Sequence, residues 1–252
     1  MLVLGWGPKA GVIIDEYSEY VLEGSQVDVV LQDPSAENLS EIRAIDAAHD
    51  RLTVLHHDKN PLSSEDLHSM DPFSYNTIIV LSQKPKEGMD PEVADAETIV
   101  VLLHLRSGRP AETQHEIHLI TEVLNSDNQD LISEVGVNDF IISNRMVSMI
   151  FAQISEEPDI QSVYDDLFQE EGSELYVKPA KLYFDSFPVT CRFGDLMHHA
   201  RRRGGEICIG VKLKEFEHRS AENFGVQLIP LKTETFTLGP DDALVVLSED
   251  DT

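Results

Sequence analysis

A glycine-rich turn near the amino terminus is the feature of this sequence most clearly suited to chemistry. The segment Gly5-Trp6-Gly7-Pro8-Lys9-Ala10 fits the pattern G-x-G-x-x-A and lies between an apolar run and an amphipathic stretch. Two glycines at this spacing allow a tight turn and a close approach of a phosphate group to the start of the following helix. The pattern therefore predicts a nucleotide site, with Gly5, Gly7 and Ala10 at the phosphate.

Three polar residues are expected to complete this site, each at the carboxyl end of a predicted strand. Asp33 follows the second strand, where an acidic side chain accepts hydrogen bonds from ribose hydroxyls. Asp58 ends the third strand and Ser82 the fourth, on the edge where parallel sheets bind ligands. Two interpretations stay open. In the first, NAD or an adenine nucleotide is bound. In the second, the pocket keeps only the turn geometry and binds no nucleotide, because Pro8 removes an amide donor and Trp6 is bulky enough to fill the phosphate space.

Carboxylates near the start of the helix after the fourth strand form a second candidate site. Asp90, Glu92 and Asp95 are oxygen donors of the kind that calcium takes, typically about six to eight at a time. Carboxylates at a helix amino terminus also stabilise the helix dipole, without any metal. Because no D-x-D-x-D-G loop occurs, the second interpretation is favoured, and calcium binding is an expectation that remains open.

The elements that position these residues alternate between strands and helices over the first 143 residues. Strands are predicted at 2–4, 27–31, 52–55, 77–81, 116–124 and 139–142, and helices at 12–22, 36–48, 63–70, 92–106 and 127–135. Strands separated by helices at this rhythm form parallel β-α-β units. Residues 1–143 are therefore predicted to form a Rossmann-like parallel sheet covered by helices on both faces.

The pattern changes after residue 143. Residues 146–168 are predicted to be mostly helical, with an interruption near Pro158, and we interpret 144–172 as a helical crossover. Further strands are predicted at 175–177, 181–184, 207–211, 225–229 and 243–247, with one helix at 193–202. Residues 173–252 are therefore expected to form a small α+β lobe.

Composition excludes several classes of function. The chain carries 46 Asp and Glu residues against 19 Lys and Arg residues, a net charge of −27, whereas nucleic-acid binding relies on Lys and Arg. No apolar run approaches the ~18 residues of a membrane span. Cys191 and Cys208 could form at most one disulfide and show no zinc-ligand spacing, so a reducing compartment is the simpler interpretation. No Ser/His/Asp or paired-carboxylate signature supports catalysis.

The chain resembles the RCK (TrkA-N plus TrkA-C) regulatory module of potassium channels and transporters. The resemblance is closer to the cytosolic part of the CASTOR/POLLUX ion-channel family. Its most particular segments are Ile141-Ile142-Ser143-Asn144-Arg145-Met146-Val147-Ser148-Met149 and Leu167-Phe168-Gln169-Glu170-Glu171-Gly172-Ser173-Glu174. Residues 2–6, 77–81, 93–95, 102–103, 193–203 and 207–210 extend it over nearly the whole chain.

This resemblance implies a ligand-sensing gating module for a cation channel or transporter of potassium or calcium type, at the cytoplasmic face of the membrane. RCK modules pair through their crossover helices and form dimers or gating rings, usually of eight modules. The ring lies beneath a transmembrane pore domain, which would be in the same chain or in a separate subunit. The resemblance further implies control by calcium or by a nucleotide, without bond-making chemistry.

Two other functions remain open at this point. A NAD-dependent oxidoreductase using the Gly5-x-Gly7 turn would need a catalytic acid or base beside the nicotinamide, and no Tyr-x-x-x-Lys or His/Asp set lies where one is required. A structural self-association module with an empty fold would assemble without responding to any ligand. Turnover of NADH would identify an oxidoreductase. Assembly without a response to any ligand would identify a self-association module.

Overall fold

The chain forms two compact units in the computed structural model. The structure describes residues 1–82, 91–109, 117–125, 128, 139–168, 172–217 and 219–249. The units are Met1–Gln153 and Ile154–Thr252, and each buries its own apolar side chains. The finer division into lobes at 1–143 and 173–252, with a crossover between them, stays a prediction.

A six-stranded, all-parallel sheet is the centre of the first unit. Its strands are Leu2–Leu4 (β1), Ser25–Val30 (β2), Leu52–His57 (β3), Thr77–Val80 (β4), His118–Val123 (β5) and Asp139–Ile142 (β6). Their order across the sheet is β3-β2-β1-β4-β5-β6. This is the order of a doubly wound Rossmann-like sheet, with its switch point between β1 and β4. The predicted fold of this region is confirmed.

Helices cover both faces of this sheet. They are Ala10–Tyr20 (α1), Ala36–Ala48 (α2), Ser64–His68 (α3) and Pro91–Gly108 (α4). Because successive strand residues point to opposite faces, Val3 packs with the isoleucines of α1 and α2, whereas Leu2 and Leu4 pack with the leucines of α3 and α4. Apolar clusters therefore cover β1 and β4 on both faces of the sheet.

Two further helices follow β6, as predicted. They are Ser143–Glu156 (α5) and Ile160–Leu167 (α6), and they are separated at Pro158. The helix predicted at 127–135 lies outside the described residues apart from Asn128, and Asp90 lies outside them as well.

The second unit is an α+β structure with antiparallel sheets. Its strands are Glu174–Pro179 (β7), Val189–Arg192 (β8), Ile207–Lys212 (β9), Val226–Leu228 (β10), Thr235–Leu238 (β11) and Ala243–Ser248 (β12). They form a four-stranded sheet, β10-β9-β12-β7, and a ribbon of β8 and β11. The helix Phe193–Gly204 (α7) buries Leu196 and Ala200 against them. The predicted α+β class is confirmed.

The strand predicted at 181–184 is wrong. Ala180–Leu182 forms a 3₁₀ turn instead. Pro179 ends β7, and the N–H groups of Tyr183 and Phe184 then donate to the carbonyl oxygen of Ala180, at 2.9 and 3.1 Å, rather than to a neighbouring strand. The strands β8 and β11 were not predicted. They form a separate two-stranded ribbon with each other.

Candidate functional site

The glycine turn between β1 and α1 has the geometry that its sequence predicts. Gly5 adopts a φ of +96°, which favours glycine, and its N–H donates to the carbonyl oxygen of Val30 at 3.0 Å. A Cβ atom at Gly7 would lie 3.3 Å from the carbonyl oxygen of Ser82. Gly5 therefore permits the turn, and Gly7 permits its close approach to the end of β4.

The helix that follows this turn begins at Ala10, two residues before its predicted start at residue 12. Lys9 is its N-cap residue, and the N–H of Ala10 donates to the carbonyl oxygen of Gly7 at 3.0 Å. Pro8 lies in the turn, where its ring contributes to the wall of an open cleft.

That cleft, here called the β1–α1 cleft, lies between the glycine turn and the start of α2. Its lining includes Trp6, Gly7, Pro8, Leu31, Ser35, Glu37, Asn38 and Glu41. Trp6 is only 5% exposed, and its indole N–H donates to Oε2 of Glu41 at 3.0 Å. The indole therefore forms a fixed wall of the cleft.

The structure brings two of the predicted site residues together at the ends of β2 and β3. The N–H of Asp33 donates to Oδ1 of Asp58 at 2.9 Å, and Asp33 has a φ of +49°. Asp58 therefore holds the backbone of Asp33 in the left-handed region, which costs energy for a non-glycine residue. The side chain of Asp33 is exposed at the carboxyl edge of the sheet.

Ser82 follows β4 on the other side of the switch point. The residue is 6% exposed, and its hydroxyl has no hydrogen-bond partner within the described ranges. A buried hydroxyl without a partner costs about 1–3 kcal/mol. Such a group at the switch point is suited to a ligand that supplies the missing hydrogen bond.

An ion pair that sequence inspection did not detect lies at the same edge. Nζ of Lys9 lies 2.6 Å from Oε1 of Glu122 on β5. The two residues are 113 positions apart in the chain, so no local pattern connects them. The pair reaches from the glycine turn across the end of β4.

The predicted calcium ligands are not gathered into a cluster in the described part of the chain. Asp95 is fully buried, and its carboxylate accepts hydrogen bonds from the N–H groups of Leu124 and Asn125 and from Nδ2 of Asn128, at 2.8 to 2.9 Å. Glu92 is exposed in the first turn of α4. Within those same residues no group of three or more His, Cys, Asp or Glu side chains is placed to hold a metal. Asp95 ties α4 to the end of β5, and the calcium site stays a prediction.

A second buried polar centre, here called the Glu206 cluster, lies in the second unit and was also not predicted. Glu206 accepts hydrogen bonds from Lys178 at 3.0 Å, Arg203 at 2.7 Å and Tyr183 at 2.5 Å. Burial alone would raise the pKa of Glu206, but the hydrogen bonds from Tyr183, Lys178 and Arg203 outweigh it and hold the pKa below its usual value. Burial and the bond to Glu206 raise the pKa of Tyr183.

The two cysteines are shielded in the same unit. Burial, followed by the charge of Asp195, raises the pKa of the Cys191 thiol. Burial raises the pKa of Cys208 to about 11. Because the thiolate is the reactive form, neither group is suited to act as a nucleophile at neutral pH.

The strand order, the glycine turn and the acidic residue after β2 define the class of the first unit as a Rossmann-like fold. It is followed in the chain by an antiparallel α+β unit. None of the helices in the described ranges combines the length and the apolar character that a bilayer crossing requires.

Sequence comparison relates the chain to plant ion channels. It is 26% identical to ion channel DMI1 of Medicago truncatula, over 98% of this chain and 30% of that one. It is 25% identical to ion channel POLLUX of Lotus japonicus, over 100% and 30%, and 24% identical to probable ion channel CASTOR of Oryza sativa subsp. japonica, over 86% and 27%. The chain thus spans less than a third of these relatives' length. The predicted resemblance to the CASTOR/POLLUX family is confirmed, although no protein-family model matches the chain.

Solved structures give more distant matches. The NAD(P)-binding domain of an exopolyphosphatase-related protein from Archaeoglobus fulgidus covers 62% of this chain and 96% of its own, at 18% identity and a TM-score of 0.41. The GsuK RCK domain covers 98% and 44%, at 15% identity and a TM-score of 0.39. The fold assignment of the first unit rests instead on its strand order and connectivity.

Proposed function

We propose that this chain is the ligand-sensing gating module of a cation channel or transporter of potassium or calcium type. One observation carries the proposal: nearly the whole chain aligns with about 30% of the length of proteins named as ion channels. A segment that corresponds to one part of a channel is expected to perform that part's task. The proposal includes a pore domain as partner, in the same polypeptide or in a separate subunit, and a position at the cytoplasmic face of the membrane.

The β1–α1 cleft is the proposed effector site, for NAD or an adenine nucleotide. Three features of the same sheet edge support it: the turn at Gly5 and Gly7, the exposed carboxylate of Asp33 where ribose hydroxyls bind in this fold, and the Ser82 hydroxyl, which lacks a partner among the described residues. Gly5, Gly7, Ala10, Asp33, Asp58 and Ser82 are the residues that we expect to hold or support the ligand.

Gating requires the effector to distinguish between two conformations of the module. A ligand that binds both equally shifts no equilibrium, however tightly it binds. A preference of about 100-fold corresponds to about 2.7 kcal/mol, which one or two hydrogen bonds made in only one conformation supply. The Ser82 hydroxyl is a suitable donor for such a bond.

Calcium is proposed as a second effector of the same module. A net charge of −27 attracts divalent cations to the surface. A site that includes Asp95 would compete with the three hydrogen bonds that this carboxylate accepts. Of the two proposed ligands that the structure describes, Glu92 is exposed and Asp95 is buried, so calcium would meet Glu92 first.

Self-association is proposed to occur through α5 and α6. Both helices expose large apolar side chains: Met146, Val147, Met149, Phe151 and Val163, followed by Phe168 after α6. Phe151 alone is 68% exposed, and burying such a side chain contributes about 1.5–3 kcal/mol. Apolar helix faces of this kind support a dimer or a larger ring.

The variant Phe151→Asp tests this interface. The substitution is expected to weaken dimerisation at least about tenfold, because it removes apolar area from the interface and places a charge in it. Light scattering across a concentration series measures the change. Leu22→Asp, at a leucine that is 85% exposed in a different region, is the matched control and is expected to dimerise normally. If Phe151→Asp shows the same molar mass as Leu22→Asp at every concentration, α5 is not the interface.

Effector binding and catalysis are tested on the same purified chain. Calorimetric titrations with NAD, ATP and calcium are expected to show binding of at least one of them. Absorbance of NADH in the presence of candidate hydroxy acids and ketones is expected to stay constant, because binding without turnover is proposed. Steady oxidation of NADH would favour the alternative, a NAD-dependent oxidoreductase of Rossmann type. If none of the three effectors binds, the proposed ligand sensing is wrong.

A further inference from the structure

We propose that Glu122 competes with the phosphate of a bound ligand for the Lys9 ammonium group, and thereby sets the affinity of the β1–α1 cleft. This inference rests on the proposed nucleotide site and adds a regulatory residue to it. The observation that motivates it is the 2.6 Å ion pair between the glycine turn and β5.

The register of the sheet places Glu122 on the same face as α1. Val80 pairs with Thr121, so Glu122 lies level with Leu81, one residue beyond the paired end of β4. Leu81 belongs to the apolar cluster that packs against α1, and Ile120 packs against the same cluster. Since residues two apart on a strand share a face, the Glu122 carboxylate is directed to the side of the sheet where α1 begins.

Lys9 is the one basic residue of the glycine turn. It occupies the N-cap position of α1, where a phosphate would meet the positive end of the helix dipole. In a chain with a net charge of −27, a polyanionic ligand needs this cation. In the structure the ammonium group is neutralised by Glu122, so the ligand must draw it away or share it.

The two side chains differ in their freedom to respond. The Lys9 side chain is 54% exposed, whereas that of Glu122 is 12% exposed. The long lysine side chain can therefore turn towards a ligand, while the carboxylate is held in place. Two consequences follow. Phosphate binding is weaker than the turn alone would allow, and ligand occupancy removes one interaction from β5.

The Lys9–Glu122 ion pair is expected to affect most strongly the affinity for ligands that place a phosphate next to the start of α1. At an effective dielectric constant of about 20, charges about 6 Å apart interact strongly enough to change affinity about tenfold after screening by salt. A ligand without phosphate makes no demand on Lys9. Adenosine is therefore expected to bind independently of the pair.

The test is a set of calorimetric titrations of the full chain with NAD, AMP and adenosine. The variants are Glu122→Gln, Lys9→Met and the combination of the two. Glu122→Gln is expected to tighten NAD and AMP binding about five- to tenfold, and Lys9→Met to weaken both by a similar factor. Adenosine affinity is expected to change less than about twofold. The exposed residues Glu65 and Lys181 supply the controls Glu65→Gln and Lys181→Met, which change net charge identically.

The double variant separates competition from simple repulsion. If Glu122 acts by occupying Lys9, its removal is expected to change affinity less than about twofold once Lys9 is absent, since coupled sites are not additive. Additive effects of the two substitutions on NAD affinity would contradict the competition. If the unmodified chain binds NAD and Glu122→Gln changes its affinity no more than Glu65→Gln does, the proposal is also wrong. If no variant binds NAD or AMP, the nucleotide site itself fails and this inference fails with it. Thermal unfolding of each variant confirms that it is folded.

Discussion

Each unit contains a buried polar centre, and the two differ in how completely their hydrogen bonds are satisfied. In the Glu206 cluster, one carboxylate accepts from a lysine, an arginine and a tyrosine. At the carboxyl edge of the parallel sheet, Ser82 lacks a partner within the described residues, Asp33 is exposed, and Lys9 is held by a residue from a distant strand. A completed network stabilises the fold, whereas incomplete groups at a sheet edge remain available to a ligand.

The largest expected effect follows from the change Glu206→Gln. It leaves the buried ammonium of Lys178 without its counter-charge, and removing one partner of a buried pair costs about 3–5 kcal/mol. Urea unfolding, followed by hydrogen exchange in peptides from residues 174–249, measures the loss. The control Glu215→Gln, at an exposed position of the same unit, is expected to change stability by less than about 0.5 kcal/mol. A loss no larger than the control's would mean that the cluster is not structural.

The same carboxylate predicts an acid limit for the second unit. Because the folded-state pKa of Glu206 lies below its ordinary value of 4.5, its contribution is fully present above that value. It is lost as pH falls through the lower, folded-state pKa. The difference in unfolding midpoint between the unmodified chain and Glu206→Gln is therefore expected to be constant from neutral pH to about pH 5 and to shrink below about pH 4.5. A difference that stays constant down to pH 3.5 would contradict this.

A smaller effect is expected from Gly5→Ala in the glycine turn. Alanine at a φ of +96° is strained, at a cost of about 1–3 kcal/mol, and the altered turn is expected to lose NAD affinity as well. Gly24→Ala is the matched comparison, since Gly24 has a φ of +86° and open space around its Cβ position. It precedes β2 at the opposite edge of the sheet, and we expect it to lose stability but not affinity. Thermal unfolding and calorimetry measure the two quantities.

The smallest loss of stability is expected at Ser82. Ser82→Ala removes a buried hydroxyl that lacks a partner among the described residues, so the free energy of unfolding should not fall and should rise by up to the ~1–3 kcal/mol that the unpaired group costs. Affinity for NAD is expected to fall several-fold. Ser18→Ala provides the contrast, because the buried Ser18 hydroxyl donates to the carbonyl oxygen of Asp15 at 2.6 Å, and its loss should cost about 1 kcal/mol. Equal losses at both serines would place Ser82 in a completed network.

Much of the first unit could be predicted because its signals are local. The short apolar runs of β1, β2 and β4 alternate with helices, and the turn pattern from Gly5 to Ala10 follows directly from the backbone freedom of glycine. Residues 181–184 show the limit of such reasoning. Leu182, Tyr183 and Phe184 favour strands by type, but the end of β7 at Pro179 leaves their N–H groups with local acceptors only.

The parts that could not be predicted depend on residues far apart in the chain. β8 and β11 pair across more than forty positions, with Thr190 and Thr237 sharing a hydrogen bond at 2.9 Å. Lys9 and Glu122 meet only because β4 lies between β1 and β5. Glu206 follows two glycines and is of a type that is usually exposed. Only the folded arrangement shows that its carboxylate is buried.

Trp6 has a practical consequence of its own. It is the single tryptophan of the chain, and its indole is a wall of the cleft, fixed by the bond to Glu41. Intrinsic fluorescence excited near the red edge of the protein absorption band therefore originates at this one location. An occupant placed beside the ring would quench or shift that emission, so the cleft can be followed optically without attaching any dye.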